Sequence, residues 1–206
     1  MDFGSLVGKL EKALQLPLPG KEAHRKMMPV VPGNRIEYFT NKTLRPAAVL
    51  ICLFPLNNRM HTIFIERTQD AGPHSGQIAF PGGRFEDSDD SLMHTALREA
   101  NEELGIITEQ VYVLGKLSAI QIPVSGFSVL PVIAVAQQQP IIEACPDEVK
   151  SYFTCDLLEL FSNKGHGKIV VRDFSIEAAF YKYNEKAIWG ATAMLLSELE
   201  SLLINS

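Results

Sequence analysis

Residues 80–106 read FPGGRFEDSDDSLMHTALREANEELGI, and this stretch decides the prediction of the fold. A strand-like segment leads into two adjacent glycines, Gly82 and Gly83, which allow backbone N–H groups to approach a ligand closely. The segment that follows has the periodicity of a helix, which we predict over residues 91–104. The helix is expected to end at Gly105, because glycine is favoured directly after the last helical turn.

The predicted helix carries apolar side chains on one face and carboxylates along the neighbouring flank. At about 100° per residue, one arc is apolar and is expected to be buried; it contains Met93, Ala96, Leu97, Ala100 and Leu104. Glu99, Glu102 and Glu103 share the flank beside it, and Glu103 lies at its border. Arg98 stands four residues before Glu102, a spacing that allows an ion pair.

Three carboxylates within two helical turns repel one another, at roughly 0.2–0.5 kcal/mol per pair. A hard divalent cation removes this repulsion, since Mg²⁺ prefers oxygen ligands and commonly joins carboxylates to substrate phosphates. A solvated acidic face is the alternative interpretation, and it is the commoner one for such a pattern in isolation. The glycine loop before the helix favours a metal site.

The whole stretch resembles the Nudix box, whose pattern is G-x5-E-x7-R-E-U-x-E-E-x-G-U with U an aliphatic residue. The matching positions are occupied by Gly83, Arg98-Glu99, Glu102-Glu103 and Gly105-Ile106. The first acidic position is Asp90 when counted back from Arg98, with six residues after Gly83 instead of five. It is Asp89 when counted forward from Gly83. The extra residue lies in or near the loop, so the helical carboxylates keep their spacing.

A longer likeness is to the coenzyme A pyrophosphatases of the Nudix superfamily and covers most of residues 45–200. It rests on Thr68 to Gly83, Ser125-Gly126-Phe127, Pro131-Val132, Asp147-Glu148-Val149 and Ile188 to Ala193. Arg67 matches the first arginine of the subgroup's additional motif. Gly72 replaces its second arginine and Ile65 replaces its threonine, so the departures concern coenzyme A specificity and leave pyrophosphate hydrolysis untouched.

The resemblance implies an α/β fold of the Nudix type, an α/β/α sandwich with a mixed central sheet and a catalytic loop and helix. It also implies attack of metal-activated water on a phosphorus of a nucleoside diphosphate linked to another group. Glu99, Glu102 and Glu103 are then the ligands of Mg²⁺ or Mn²⁺, and Arg98 orients them. The general base is either a glutamate of the box or Glu148, for which a solvated loop acid is the alternative interpretation.

Five residues are candidates for binding the substrate: Arg67, His74, Gly82, Gly83 and Arg84. An arginine fork suits the geometry of a phosphate, although a single arginine is more commonly a surface charge. His74 precedes Ser-Gly and is equally typical of a turn.

Three functions are compatible with these residues. The first is hydrolysis of coenzyme A or an acyl derivative to 3′,5′-ADP and a 4′-phosphopantetheine. The second keeps the reaction but takes ADP-ribose, an ADP-sugar, a dinucleotide or a nucleoside triphosphate, as the change at Gly72 suggests. The third is a nucleotide-binding Nudix module without hydrolysis; the retained box glutamates argue against it.

Outside the box the sequence predicts a mixed α and β fold around one sheet. Strands are predicted at residues 35–40, 47–54, 62–66, 77–80, 111–122 and 127–136, and a late hairpin at 168–172 and 178–183. Further helices are predicted at residues 2–15, 151–161 and 188–203. We divide the chain into residues 1–34, a helix with a proline-rich extended arm, and residues 35–206, the Nudix hydrolase domain. The arm either packs on the core or reaches a second subunit in a homodimer.

Composition is that of an ordinary globular protein and excludes collagen-like and disulfide-rich classes. The chain has 206 residues, a net charge of −5, 46% apolar residues and three cysteines without C-x-x-C spacing. Its acidic balance and the lack of a basic stripe argue against nucleic-acid binding. The sequence lacks a leader-like or membrane-spanning pattern. We therefore expect a cytoplasmic enzyme whose partner is a small nucleotide substrate.

Overall fold

The computed structural model describes residues 2–29, 44–68, 76–171 and 174–204. The helices are α1 (Phe3–Ala13), α2 (Gly20–Arg25), α3 (Leu92–Leu104), α4 (Leu157–Ser162) and α5 (Gly190–Ile204). The strands are β1 (Arg45–Leu56), β2 (Arg59–Arg67), β3 (Ile78–Ala79), β4 (Gly82–Arg84), β5 (Val111–Lys116), β6 (Ile120–Ile122), β7 (Phe127–Ala136), β8 (Val149–Asp156), β9 (Lys164–Val171), β10 (Phe174–Tyr183) and β11 (Lys186–Trp189).

A mixed sheet forms the centre of the described part of the chain. Its main strand order is β3-β2-β1-β7-β5, while β4 pairs with β1, β6 with β7 and β8 with β2. β1 and β7 are parallel, with Arg45 facing Phe127 and Leu53 facing Val135. β9, β10 and β11 form a second, antiparallel sheet. β1 is buried over five consecutive residues, as expected for a strand that is covered on both faces.

Helices cover both faces of the central sheet. α3 packs on one face through Ala96, Ala100 and Leu104. α1 and α5 pack on the other through residues that include Leu10 and Leu199. This arrangement confirms the predicted α/β/α sandwich with a mixed sheet. None of the described helices is long and apolar enough to cross a membrane.

Local signals set both ends of α3. The Ser91 side chain accepts a hydrogen bond from a backbone N–H of the first turn, and Gly105 ends the helix with a φ of 68°. Both ends agree with the prediction. The buried side is rotated toward the carboxylates, because Glu99 and Glu103 are buried whereas Met93 is 44% exposed. The predicted place of Met93 on the buried face is therefore wrong.

Two predicted helices differ from the structure because strands occupy part of their range. The helix predicted over residues 151–161 is wrong for its first half, which belongs to β8 and pairs with β2. α4 begins at Leu157, after Asp156 accepts a hydrogen bond from the N–H of Glu159. The last helix begins at Gly190 instead of residue 188, since β11 continues to Trp189.

Two other predictions concern strands. The single strand predicted over residues 111–122 is divided into β5 and β6. The late hairpin is confirmed as β9 and β10, which pair antiparallel.

The N-terminal segment is more helical than predicted. Residues 20–25 form α2 where an extended arm was expected, and α1 and α2 both contact α5. Residues 30–34 and the predicted strand at 35–40 lie outside the described residues. The boundary between residues 34 and 35 therefore stays a prediction.

A buried carboxylate holds α2 against α5. Glu198 is fully buried, and its carboxylate accepts hydrogen bonds from Gly20 N–H at 3.0 Å and Ser118 Oγ at 2.7 Å. Its Oε2 lies 2.8 Å from His24 Nε2. Burial raises the pKa of Glu198, but the hydrogen bonds from His24 and Ser118 outweigh it and bring the pKa below its usual value of 4.5.

Glu198→Gln is expected to lower the free energy of unfolding at pH 7 by about 1–3 kcal/mol, since buried donors lose an acceptor. A carboxylate whose pKa is lowered by folding stabilises the fold above its unfolded pKa and loses that effect as the pH falls through its folded pKa. The difference between wild type and variant should therefore shrink below pH 4.5. Urea denaturation from pH 7 to pH 3 measures it, with exposed Glu11→Gln as control. A difference that stays constant with pH would contradict the assignment.

Candidate active site

Four segments that are distant in sequence meet at the end of β2. Arg67 is the last residue of β2, and its Nη1 lies 3.5 Å from Glu103 Oε1 on α3. The N–H of Gly82, at the start of β4, donates to Glu103 Oε2 at 2.8 Å. Cys145 N–H donates to the carbonyl of Glu103 at 2.9 Å, and the carbonyl of Glu148 accepts a hydrogen bond from Thr68 N–H at 3.2 Å. The fold thus brings Arg67, Gly82, Glu103 and Glu148 together as predicted candidates.

Gly82 and Gly83 have to be glycines, because a Cβ atom at either position would overlap neighbouring atoms of the protein itself. A Cβ atom at Gly83 would overlap the carboxylate of Glu99. A Cβ atom at Gly82 would overlap the carbonyl of Ala48, and its φ of 154° is one that residues with a side chain rarely adopt. The loop N–H groups were predicted to face a ligand, but that of Gly82 is bonded to Glu103. A contact between the loop and the substrate stays a prediction.

Arg98 connects three carboxylates. Its Nε and Nη2 bind the two oxygens of Asp89 at 2.8 and 3.0 Å, a bidentate geometry. Its Nη1 lies 2.9 Å from both Glu99 Oε1 and Glu102 Oε2. Nη2 also donates to the carbonyl of Arg84 at 3.1 Å. The five N–H donors of a guanidinium are matched by these five contacts, so Arg98 holds carboxylates and has no donor left for a substrate.

Asp89 is the acidic residue that fixes Arg98. It is buried, and its Oδ2 accepts hydrogen bonds from Thr95 Oγ1 at 2.9 Å and Glu86 N–H at 3.0 Å. The Arg98 guanidinium holds the pKa of Asp89 well below its usual range. Asp90 is exposed. Of the two positions that the sequence left open, the structure therefore selects Asp89 and places the extra residue between it and the helix.

Two carboxylates of α3, those of Glu99 and Glu103, are buried close to other negative charges. Burial raises the pKa of Glu103 to about 8, with further increases from the charges of Glu99 and Glu148 and opposing effects of Gly82 N–H and Arg67. Burial also raises the pKa of Glu99, against the effect of Arg98 and together with the charges of Glu102 and Glu148. Glu148 itself is exposed. The four glutamates are thus close enough to disfavour one another's negative charge, which a bound cation would favour.

The comparisons with known proteins agree with this geometry. Residues 44–174, more than half of the chain, match the profile described as NUDIX domain. The chain belongs to the Nudix family. It is therefore a Nudix pyrophosphohydrolase, an enzyme that acts on a nucleoside diphosphate derivative.

Two similar relatives are uncharacterized Nudix hydrolases named NudL. The protein from Pectobacterium atrosepticum is 34% identical over 157 residues, which are 75% of this chain and 81% of the relative. The protein from Yersinia pestis is 34% identical over 166 residues, which are 79% of this chain and 81% of the relative. A MutT/nudix family protein from Enterococcus faecalis has a similar fold, with a TM-score of 0.52 at 16% identity, covering 84% of this chain and 71% of that one.

The Nudix glutamates have the right chemistry for a divalent cation, which members of the family generally use. All three supply carboxylate oxygens, the donors that Mg²⁺ and Mn²⁺ prefer. Within the described ranges, however, no three His, Cys, Asp or Glu side chains are already grouped as a metal site. Glu102 is half exposed and turned to Arg98, whereas Glu103 is turned to Gly82. The predicted ligand set of Glu99, Glu102 and Glu103 therefore fits by donor type and stays a prediction.

The other predicted binding residues are distributed unevenly. Arg67 is partly exposed beside Glu103, while the side chain of Arg84 is 67% exposed and lies 3.4 Å from Glu86. His74 lies outside the described residues, and so does Gly72. Ile65, which replaces the threonine of the coenzyme A subgroup, is fully buried in the core on the α3 side of the sheet.

A cationic cluster on the other face of β2 was not predicted. Lys150 and Lys186 both donate to the carboxylate of Glu66, as does Ser151 Oγ at 3.1 Å. The hydrogen bonds from Lys150 and Lys186 lower the pKa of Glu66 to about 2. The two lysines lie on β8 and β11, far from Glu66 in sequence. No local pattern signals this cluster, since only the pairing of the strands brings it together.

Proposed function

We propose that this Nudix enzyme hydrolyses the pyrophosphate bond of coenzyme A or an acyl derivative. The observation that carries the proposal is the meeting of Arg67, Gly82, Glu103 and Glu148 at the end of β2. These four residues lie in segments that resemble the coenzyme A pyrophosphatases. The expected products are 3′,5′-ADP and 4′-phosphopantetheine or its acyl derivative.

In this proposal the buried carboxylates of Glu99 and Glu103, with Glu102 beside them, would hold Mg²⁺ or Mn²⁺. A cation held there would neutralise phosphate charge and lower the pKa of a water molecule. Arg98 keeps Glu99 and Glu102 in place through contacts of 2.9 Å. Arg67, partly exposed next to Glu103, binds a phosphate oxygen.

We propose Glu148 as the general base. The oxygen of the attacking water molecule forms a bond to one phosphorus, and one proton of this water passes to a carboxylate oxygen of Glu148. The bond between that phosphorus and the bridging oxygen breaks, and the bridging oxygen leaves with the other phosphate. Glu148 is exposed, and its carboxylate has no hydrogen-bond partner in the part of the chain that the structure describes. The neighbouring Glu103 carboxylate, in contrast, already accepts from Gly82.

The second candidate is the same reaction on ADP-ribose, an ADP-sugar, a dinucleotide or a nucleoside triphosphate. Ile65 favours it, because this residue replaces the threonine of the coenzyme A subgroup's additional motif. Gly72 likewise replaces the second arginine of that motif, so this position has no guanidinium to bind a phosphate. A homodimer, a cytoplasmic location and the absence of nucleic-acid and membrane partners remain predictions.

A substrate panel tests the proposal. Purified protein is incubated with coenzyme A, acetyl-coenzyme A, ADP-ribose, ADP-glucose, a diadenosine polyphosphate and ATP, with Mg²⁺, with Mn²⁺ or with EDTA. We expect the highest kcat/KM for a coenzyme A compound, release of 3′,5′-ADP, and no turnover in EDTA. A higher kcat/KM for another substrate would support the second candidate.

The variant Glu148→Gln tests the general base separately. We expect kcat to fall about a hundredfold, within the range for general-base catalysis, while Mn²⁺ binding is kept. Asp147→Asn, a change at the exposed neighbouring acid, is the matched control. If kcat of Glu148→Gln is unchanged, Glu148 is not the general base, and a glutamate of the Nudix box is the remaining candidate.

A further inference from the structure

The last helix contacts the strand that leads into the glycine loop. Thr192 lies in the first turn of α5 and is only 8% exposed. Its Oγ1 donates a hydrogen bond to the carbonyl of Ile78 at 3.0 Å. Ile78 belongs to β3, four residues before Gly82. The contact therefore connects α5 to the segment that carries the Gly82 N–H.

The pairing of β3 explains why this carbonyl is available. Arg67 N–H donates to the carbonyl of Gln77, and Glu66 faces Ile78 in the antiparallel register. Bonded and non-bonded residue pairs alternate in antiparallel sheets. Ile78 is thus in a non-bonded pair, and its carbonyl points away from β2. Thr192 supplies the donor on that outer side.

β3 is short, since it consists of two residues. After it, the carbonyl of Pro81 accepts from Leu50 N–H at 2.8 Å and the N–H of Gly82 donates to Glu103 at 2.8 Å. A shift of β3 along or away from the sheet would move both of these groups. The bond from Thr192 opposes such a shift.

We propose that Thr192 is a positioning residue for the Nudix reaction: it fixes β3 and thereby keeps the Gly82 N–H on the Glu103 carboxylate. The proposal rests on the Nudix hydrolase activity and on the assigned role of Glu103, and it does not depend on which substrate is used. It gives a role to Thr192, which lies in the segment Ile188 to Ala193 that resembles the coenzyme A pyrophosphatases. The effect is on the geometry of Glu103, because Thr192 itself contacts neither Glu103 nor the loop N–H.

α5 also contains a matched control. Ser197 is buried, and its Oγ donates to the carbonyl of Ala23 at 2.8 Å. The bond is of the same kind as that of Thr192, a buried hydroxyl to a backbone carbonyl, but it leads to α2. Loss of either bond should weaken the fold, whereas only loss of the Thr192 bond should affect the catalytic loop.

The test compares Thr192→Val, Thr192→Ser and Ser197→Ala in the full chain. For Thr192→Val we expect kcat to fall about tenfold, because the geometry of Glu103 changes. KM should stay within twofold of the wild-type value, because the contacts with the substrate are unchanged. Thr192→Ser keeps the hydroxyl and should keep most of kcat. Ser197→Ala should lower Tm by a similar amount and leave kcat unchanged.

Two further measurements do not require a substrate. Hydrogen–deuterium exchange of peptides covering residues 78–84 should be faster in Thr192→Val and unchanged in Ser197→Ala. The affinity for Mn²⁺, measured by electron paramagnetic resonance, should fall several-fold in Thr192→Val alone. If Thr192→Val does not fold, Thr192→Ala replaces it in all three measurements. Equal losses of kcat in the Thr192 and Ser197 variants, or unchanged exchange at residues 78–84, would overturn the proposal.

Failure of this proposal is distinguishable from failure of the proposed function. A wild-type protein without activity on coenzyme A compounds would disprove that substrate, yet exchange and Mn²⁺ affinity would still report on Thr192. Conversely, activity on coenzyme A with unchanged exchange in Thr192→Val would disprove only the positioning role.

Discussion

Replacing Glu103 with glutamine is expected to lower kcat/KM about a thousandfold, or ~4 kcal/mol of transition-state stabilisation, while the fold is retained. Glutamine has the shape of glutamate, and its carbonyl oxygen can accept the hydrogen bond that Gly82 N–H now donates to Oε2. The variant lacks the negative charge that we assign to cation binding. Steady-state hydrolysis of the best panel substrate measures the loss, and circular dichroism with thermal unfolding checks the fold.

The control for this variant is Glu109→Gln. Glu109 is exposed on the short 3-10 turn beyond α3 and should tolerate the change. Mn²⁺ binding should be lost in Glu103→Gln and kept in Glu109→Gln. If kcat/KM of Glu103→Gln stays within tenfold of the wild-type value, the assignment of Glu103 as a ligand of the cation is wrong.

Alanine at Gly83 is expected to lower kcat/KM about a hundredfold, or ~2.7 kcal/mol. The added Cβ overlaps the carboxylate of Glu99, which is the flexible end of a side chain. The overlap is therefore relieved by displacement of that carboxylate, which also disturbs its 2.9 Å contact with Arg98. A displacement of about 1 Å in a catalytic site can lower the rate about a hundredfold.

Gly167→Ala is the matched control for Gly83→Ala. A Cβ at Gly167, on β9, meets no atom within 4 Å, so this variant should keep both Tm and kcat/KM. Gly83→Ala should keep Tm within a few degrees and lose activity. The double variant Gly83→Ala, Glu99→Gln should lose little more activity than Glu99→Gln, because both changes act on one group. Additive losses would show that Gly83 acts through another group.

The helix of the site was predictable because its signals are local. The periodicity of α3, the cap at Ser91 and the glycine at its end all lie within the segment they describe. Burial of Glu103 was underestimated, since a helical wheel cannot tell how closely the glycine loop packs on the helix. The choice between Asp89 and Asp90 depended on the path of the loop, which spacing alone leaves open.

Long-range pairing limited the other predictions. The helix predicted over residues 151–161 is wrong for residues 151–156, because these residues belong to β8 and pair with β2, which lies far away in sequence. The cluster of Lys150 and Lys186 on Glu66 has the same origin. Arg67 and Glu148 were proposed by resemblance, and the structure adds that backbone hydrogen bonds hold their two segments together.

The position of α5 along the chain has a consequence for synthesis on the ribosome. α5 provides the partner of both His24 and Ile78, from residues 174 and 114 positions later in the sequence. Until α5 leaves the ribosome, α2 lacks the carboxylate that holds it, and β3 lacks the hydroxyl that anchors it. Nascent chains released before this helix are therefore expected to carry all the Nudix glutamates and still be inactive and prone to aggregate through the uncovered sheet face.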